Sequence, residues 1–172
     1  GQQITLNSSN SAVAGPRIAT MIARAGTNYN SKFAGGNVPE CDLVVKGVVG
    51  GVQRGWVRQA DGTFKPDRAS EANLTDTQLR ALANTAGSEL TYTCVPPGNG
   101  TRIGIDRDED GFLDRTELDG GYDPANPASN PSVATPTPGP ATPTPTPDPT
   151  ATPAPTATPA PTPRSEEHTS EL

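Results

Sequence analysis

Acidic side chains are concentrated in the segment "DRDEDGFLDRTE", residues 106–117. Five of its six acidic side chains occupy positions 1, 3, 5, 9 and 12 of the segment, and a glycine occupies position 6. Ca²⁺ is a hard cation that takes roughly six to eight oxygen ligands, and this order of carboxylates around a glycine is the ligand order of a calcium loop. The pattern therefore predicts a calcium site with the ligands Asp106, Asp108, Asp110, the backbone carbonyl of Phe112, Asp114 and Glu117.

Two other interpretations of this segment stay open. Mg²⁺ also binds carboxylates, but it prefers compact octahedral sites that retain water, so it ranks second. An acidic solvated turn could match the pattern by chance. The charge distribution favours a cation, because residues 103–123 carry eight acidic and two basic side chains, whereas residues 1–102 carry seven acidic and ten basic ones. Since five inward carboxylates repel one another, we expect metal binding to be coupled to local folding.

Other kinds of chemistry find little support in the composition. The single histidine, His168, lies in the last nine residues, so the sequence predicts no histidine-dependent nucleophile and no His-ligated zinc site. No run approaches the roughly 20 apolar residues that span a bilayer. No strongly basic block indicates nucleic-acid binding. We therefore expect a chain that is not itself an enzyme.

Residues 106–127, "DRDEDGFLDRTELDGGYDPANP", resemble the bacterial extracellular calcium-binding repeats of the thrombospondin type 3 and dockerin kind. In those repeats an EF-hand-like loop is followed by one or two helical turns and then by a Gly-x-Asp-Pro-x-x-Pro turn. The resemblance implies the same ligand positions as the spacing does. It also implies an exported bacterial protein, although those families use loops in series and this chain has one.

The segments before the loop predict a small, mainly β domain of the α+β class over residues 1–105. "QQITL" predicts a first strand, and two strands at Cys41–Val48 and Val52–Arg58 meet across Gly50-Gly51 as a hairpin. "ELTYTCVP" predicts another strand. "TRIGI" predicts a last strand at Arg102–Ile105, which delivers the chain into the calcium loop without an entering helix.

One covering helix is predicted with clear end signals. "LTDTQLRALANTAG" begins at Thr75, whose side chain forms a capping box with Gln78. The segment "PRIATMIARA", residues 16–25, fits a helix by its apolar spacing and a strand by its β-branched content, so its type stays open. "NYNSKFAGGNVPE" is interpreted as a loop because of its Asn, Gly and Pro residues.

The two cysteines are predicted to face the core. Cys41 shares a predicted strand face with Leu43, and Cys94 shares one with Leu90. A disulfide between them would close a loop of about 54 residues and stabilise the fold by roughly 4 kcal/mol in the chain-entropy model. Two buried free thiols, which pack as small apolar groups, are the alternative.

The chain after residue 127 has a different composition. Residues 131–163 contain 13 prolines and 10 threonines, so we interpret residues 128–163 as a linker or stalk in extended polyproline II conformation. The last nine residues, "RSEEHTSEL" (164–172), match the translation of a common sequencing adapter. We exclude them from the fold and expect the natural protein to extend beyond this sequence at both ends.

These observations predict a non-catalytic, calcium-stabilised module that is secreted or displayed on a bacterial surface. In this hypothesis Ca²⁺ rigidifies the junction between the β domain and the stalk, and the partners are the ion and other domains or the cell surface. The alternative is an accessory C-terminal fragment of a larger secreted enzyme or redox protein, whose catalytic residues lie outside this chain.

Overall fold

The chain folds around one antiparallel sheet of five strands in a computed structural model that describes residues 2–33 and 35–132. The strand order is β1-β7-β4-β5-β6, and β2 and β3 form a separate hairpin. The prediction of a small β-rich domain with helices is confirmed. The strands are β1 (Gln3–Leu6), β2 (Asn28–Ser31), β3 (Gly36–Pro39), β4 (Asp42–Val49), β5 (Val52–Arg58), β6 (Phe64–Pro66) and β7 (Glu89–Val95); the helices are α1 (Ser11–Ala25), α2 (Asp76–Ala81), α3 (Gly100–Gly104) and α4 (Asp114–Gly120), with a 3₁₀ turn at Leu82–Asn84.

The larger core lies between one face of the sheet and the helices α1 and α2. Alternate residues of a strand face opposite sides, so Leu43 and Val45 of β4 point into this core while Val44 points away. Large side chains from the strands and from helices α1 and α2 fill this core. They include Ile4, Leu6, Ile18, Met21, Trp56, Phe64, Leu79, Leu90 and Tyr92.

The opposite face of the sheet carries a second, smaller core. Val44, Val57 and Val95 project from the three central strands and pack against Ile105 and Leu113. Ile105 immediately precedes the predicted calcium loop, and Leu113 is its eighth residue. The segment α3-loop-α4 is therefore seated on the sheet, and this packing positions the candidate site.

A pair of glycines lets α3 lie directly on β5. A Cβ atom added to Gly104 would overlap Cγ2 of Val57, and one added to Gly55 would overlap the carbonyl oxygen of Gly104. The two backbones can approach this closely only because both positions lack side chains. Since Asp106 follows α3 after one residue, this contact also places the first predicted ligand.

The predicted strand at Arg102–Ile105 is wrong, because these residues belong to the helical turn α3 and its end. Strand β7 is already paired on both sides, with β1 and β4, so it offers no free edge to a following strand. The carboxylate of Asp42 instead accepts hydrogen bonds from the backbone N–H groups of Gly98 (2.8 Å) and Gly100 (2.9 Å) at the start of α3. The expectation of a loop without an entering helix is corrected accordingly: α3 enters the loop and α4 leaves it.

The helical cover is larger than the single helix that was predicted. "PRIATMIARA" forms most of α1, whose Ile18 and Met21 are buried against the sheet. The helix α2 has the predicted capping box, in which Thr75 and Gln78 exchange hydrogen bonds. The segment interpreted as a loop contains the hairpin β2-β3.

The predicted disulfide between Cys41 and Cys94 is present, with 5.4 Å between the two Cα atoms. Cys41 lies one residue before β4, and Cys94 pairs in register with Leu43 of that strand. The bridge therefore joins two neighbouring central strands at one end of the sheet. A disulfide of this kind is typical of an oxidising, extracellular-type environment.

Residues 133–172, which hold most of the predicted stalk and the adapter-like tail, lie outside the described residues. Within the described ones, no helix has the length and apolar character needed to cross a membrane. The described residues cluster into one compact unit. The proposed boundary between residues 105 and 106 stays a prediction.

We predict that Gly104→Ala destabilises the protein by about 1–3 kcal/mol, as overpacking of a tight contact does. Alanine in place of glycine in an open helical position stabilises by roughly 0.5–1 kcal/mol, so the sign of the change reports the contact with Val57. Urea unfolding followed by circular dichroism measures it. Thr101→Ala, at an exposed position of the same helix, is the control and should change stability by less than about 0.5 kcal/mol. A stabilised Gly104→Ala protein would contradict the seating of α3 on β5.

Candidate metal centre

The first part of the predicted calcium loop, residues 106–112, is fixed to the sheet on both sides. Ile105, just before this part, and Leu113, just after it, are buried in the second core. The backbone N–H of Asp114 donates a hydrogen bond to the carbonyl oxygen of Ile105 over 2.8 Å. The residues between them must therefore form a closed turn.

This turn brings three predicted ligands together. Asp106, Asp108 and Asp110 each offer a carboxylate oxygen, and these oxygens lie within 4.8 Å of one another. The bend occurs at Gly111, whose φ of 92° is favourable only for glycine. Its N–H donates to the Oδ2 atom of Asp106 (3.2 Å), while Glu109 is exposed. The alternation that the sequence predicted is thus present in this part of the loop.

Glu117 supplies the most unusual group of the site. Its side chain, on the first turn of α4, is fully buried, and neither carboxylate oxygen has a hydrogen-bond partner within residues 2–33 and 35–132. Oδ1 of Asp106 and Oδ2 of Asp108 are likewise buried without a partner. Burying an ionised carboxylate without compensation costs several kcal/mol. Four such oxygens, on three residues of one twelve-residue segment, therefore point to a positive charge as their counterpart.

The pKa values of these carboxyl groups reflect the same uncompensated negative charge. Burial raises the pKa of Glu117 to about 7, and the negative charges of the neighbouring aspartates add to the shift. Burial also raises the pKa of Asp106, with a further contribution from Asp108 and Asp110 and an opposing one from the hydrogen bond of Gly111. A bound cation would reverse both effects, since it favours the ionised forms.

Two other predicted ligands are held differently. Asp114 is buried, but its Oδ1 accepts a hydrogen bond from the N–H of Arg107 (2.7 Å) and its Oδ2 lies 3.5 Å from Nζ of Lys46. Protein donors thus satisfy Asp114, unlike Glu117. The N–H of Phe112 donates to Oδ1 of Asp110 (2.9 Å). Direct ligation by Asp114 and by the Phe112 carbonyl stays a prediction.

Two residues that contact the loop carried no functional signal in the sequence. Lys46 reaches Asp114 from strand β4, 68 residues away in the chain. Asn130 donates from its side-chain nitrogen Nδ2 to Oδ2 of Asp110 over 2.7 Å, although it belongs to the segment interpreted as linker. Both contacts depend on the fold.

A chain of alternating charges fixes α4 and hence Glu117. Arg54 of β5 binds Asp67, which is buried and whose backbone carbonyl accepts the N–H of Arg115 in α4 (2.9 Å). Further ion pairs continue from this contact to the outer side of α4. They are Arg54–Glu71, Arg68–Glu71, Arg68–Asp119 and Arg115–Asp119. The helix that carries Glu117 is therefore attached to the sheet by both apolar and ionic contacts.

The donor set fits a hard cation. Its side-chain donors are carboxylate oxygens alone, which suit Ca²⁺, Mg²⁺ and Mn²⁺ better than the softer metals that select thiolate or imidazole. The orphaned oxygens give such an ion partners that the protein does not otherwise satisfy. Asp106, Asp108 and Asp110 are thus an acidic cluster positioned to hold a metal ion.

Comparisons with protein-family models, with curated proteins and with solved structures find no significant match to this chain. The case for a metal site consequently rests on the residues and their geometry.

We predict that the metal-free protein loses stability as the pH rises from about 5 to 8. The raised pKa of Glu117 means that the folded state binds more protons than the unfolded state across this window, so the stability present below the unfolded pKa is lost as the pH passes the folded value. The loss should be about 3 kcal/mol, measured by urea unfolding after removal of metal.

The control for this pH dependence is Glu117→Gln, which keeps the shape of the side chain but cannot ionise. Its stability should vary much less with pH, and at pH 8 without metal it should exceed that of the wild type. Asp67, whose pKa burial also raises, is unchanged in both proteins, so their difference isolates Glu117. A wild-type stability that increases from pH 5 to 8 would contradict an uncompensated carboxylate.

Proposed function

We propose that this chain is a non-catalytic module of an exported bacterial protein, stabilised by Ca²⁺ bound in residues 106–117. The observation that carries the proposal is the carboxylate of Glu117, which is fully buried with both oxygens unpartnered. A cation gives these oxygens the counter-charge that no protein group supplies. Binding then adds to folding stability, because the unfolded chain does not present such a site.

Ca²⁺ fits this arrangement better than Mg²⁺. The free oxygens of Glu117 suit bidentate ligation at position 12 of the loop, which is how a calcium loop closes. Mg²⁺ demands near-octahedral geometry and usually keeps several waters. The buried oxygens of Asp106, Asp108 and Glu117 leave little room for such waters.

Enclosure of the site supports a structural role. A catalytic metal needs an open coordination position that substrate or water can occupy. Here Asp106 is 5% exposed and Glu117 is 0% exposed. Because these two carboxylates are withdrawn from solvent, we assign an ion held by them to stability and do not assign this chain a reaction.

The seating of α3 argues against a calcium sensor. Sensor EF-hands respond to Ca²⁺ by changing the angle between the two helices of the hand. In this chain α3 has five residues and lies against β5 through Gly104 and Val57. Any large swing of α3 would break the second core. Calcium is therefore proposed to hold this unit closed.

A location outside the cytoplasm is consistent with both the bridge and the ion. The Cys41–Cys94 disulfide suggests an oxidising environment. Extracellular calcium modules bind with dissociation constants of about 10⁻⁴–10⁻³ M, which millimolar calcium saturates. We accordingly propose a secreted or cell-surface module in which the ion rigidifies the exit towards residues 128–163.

We predict that 5 mM CaCl₂ raises the unfolding midpoint of the full chain relative to excess chelator. With a dissociation constant near 10⁻⁴ M the gain is about 2 kcal/mol, or roughly 5 °C. Glu117→Gln and Asp110→Asn should abolish the gain. Equal concentrations of MgCl₂ should give a smaller one. Differential scanning calorimetry provides the measurement.

The matched control is Glu109→Gln, which removes one negative charge from the same loop at an exposed position. It should retain the calcium-dependent gain, because Glu109 is not a predicted ligand. Absence of any gain in the wild type would refute calcium stabilisation. If Glu109→Gln lost as much as Glu117→Gln, general acidity would explain the effect better than a site.

A further inference from the structure

The chain after α4 folds back towards the loop instead of leaving the domain directly. We name residues 123–132 the exit turn. Within it, the N–H of Asp123 donates to Oγ of Ser129 (3.0 Å), and the N–H of Ser129 donates to the carbonyl oxygen of Asn126 (2.7 Å). The side chain of Asn126 accepts the N–H of Ala128 (3.1 Å). These short-range bonds bring Asn130 beside the acidic loop.

Asn130 is held from both sides of its amide group. Its Nδ2 donates to Oδ2 of Asp110 (2.7 Å) and to the carbonyl oxygen of Pro127 (3.0 Å), and its Oδ1 accepts the N–H of Ser132 (3.1 Å). A flipped amide would place an oxygen against the carboxylate and a donor against a donor, so the partners define its orientation. The side chain is 8% exposed. Asn130 is therefore a buried, fully engaged residue in a segment whose residues are mostly exposed.

We infer that Asn130 is a positioning residue for the cation and acts through Asp110. Oδ1 of Asp110 accepts the N–H of Phe112 while Oδ2 accepts Asn130, so the carboxylate plane is fixed at both oxygens. Each oxygen keeps a second lone pair that can face the ion. Since an amide donor carries no net charge, Asn130 orients Asp110 without competing with the cation as a lysine would. This inference rests on the proposed calcium function.

The contact also couples the ion to the exit turn. A cation bound to Asp110 restrains that carboxylate, which is the hydrogen-bond partner of Asn130. In turn, an Asn130 side chain already held in the bound geometry strengthens cation binding. Coupling between two equilibria is reciprocal, so calcium must stabilise the exit turn by the same factor by which the turn improves calcium affinity. The ion thereby controls the order of the chain where the Pro/Thr-rich tract begins.

The test compares calcium affinities of the full chain by isothermal titration calorimetry. Asn130→Ala should weaken binding by about 10–100-fold, the usual effect of removing a group that orients a metal ligand. Asn73→Ala is the matched control, because Asn73 is an exposed asparagine that also donates from Nδ2, to Oγ1 of Thr63 (3.1 Å), outside both the acidic loop and the exit turn. Its affinity should stay within about twofold of the wild type.

A second measurement uses the wild type alone, so it does not depend on the variant folding. Hydrogen exchange of the backbone amides in residues 123–132 should slow when calcium replaces chelator. Unchanged exchange, or equal calcium affinity in Asn130→Ala and the wild type, would overturn the positioning role while leaving the calcium site intact. Failure of the wild type to bind calcium at all would overturn the proposed function and this inference together.

Discussion

The negative charge of a buried carboxylate, unpaired among the described residues, is the constraint on which the rest of this structure depends. Glu117 is fully buried in the first turn of α4, and no described group donates a hydrogen bond to its oxygens. Three responses can relieve the cost: a proton, a cation, or withdrawal of α4 from the sheet. The apolar anchors at Ile105 and Leu113 and the ionic contacts of α4 oppose withdrawal. A proton and a cation are left to compete for the same oxygens.

The second core changes how the acidic loop relates to the β domain. Val44, Val57 and Val95 alternate with residues of the larger core along their strands, so part of this face of the sheet is apolar as well. Ile105 and Leu113 cover that face. These two residues complete a hydrophobic core and also hold the loop, so ion binding and packing against the sheet stabilise each other.

The sequence was informative where the signal was local. The capping box at Thr75, the hairpin at Gly50-Gly51 and the acidic alternation of residues 106–110 each depend on neighbours within about a dozen positions, and all are present. The inward direction of both cysteines followed from strand alternation and led to the observed bridge. Ligand roles beyond the three clustered aspartates still rest on the motif.

The signals that failed were those decided by distant residues. "TRIGI" has β-branched residues, but β7 has no free edge, and Gly104 is needed where α3 meets β5. Tertiary context therefore overrode local preference. Asn130 was hidden for a similar reason, because a proline-rich composition describes how a segment behaves alone and not which carboxylate it reaches when folded.

The Cys41–Cys94 bridge has a mechanical consequence. It encloses strands β4 to β7 in a covalent loop, while α3, the acidic loop and α4 lie beyond Cys94. Tension applied to the chain after residue 132 first loads the Asn130–Asp110 contact and then the acidic loop. It finally loads the disulfide bond, which does not yield. Extension of the module under load therefore has a fixed limit, and the non-covalent resistance before that limit depends on what occupies the acidic loop.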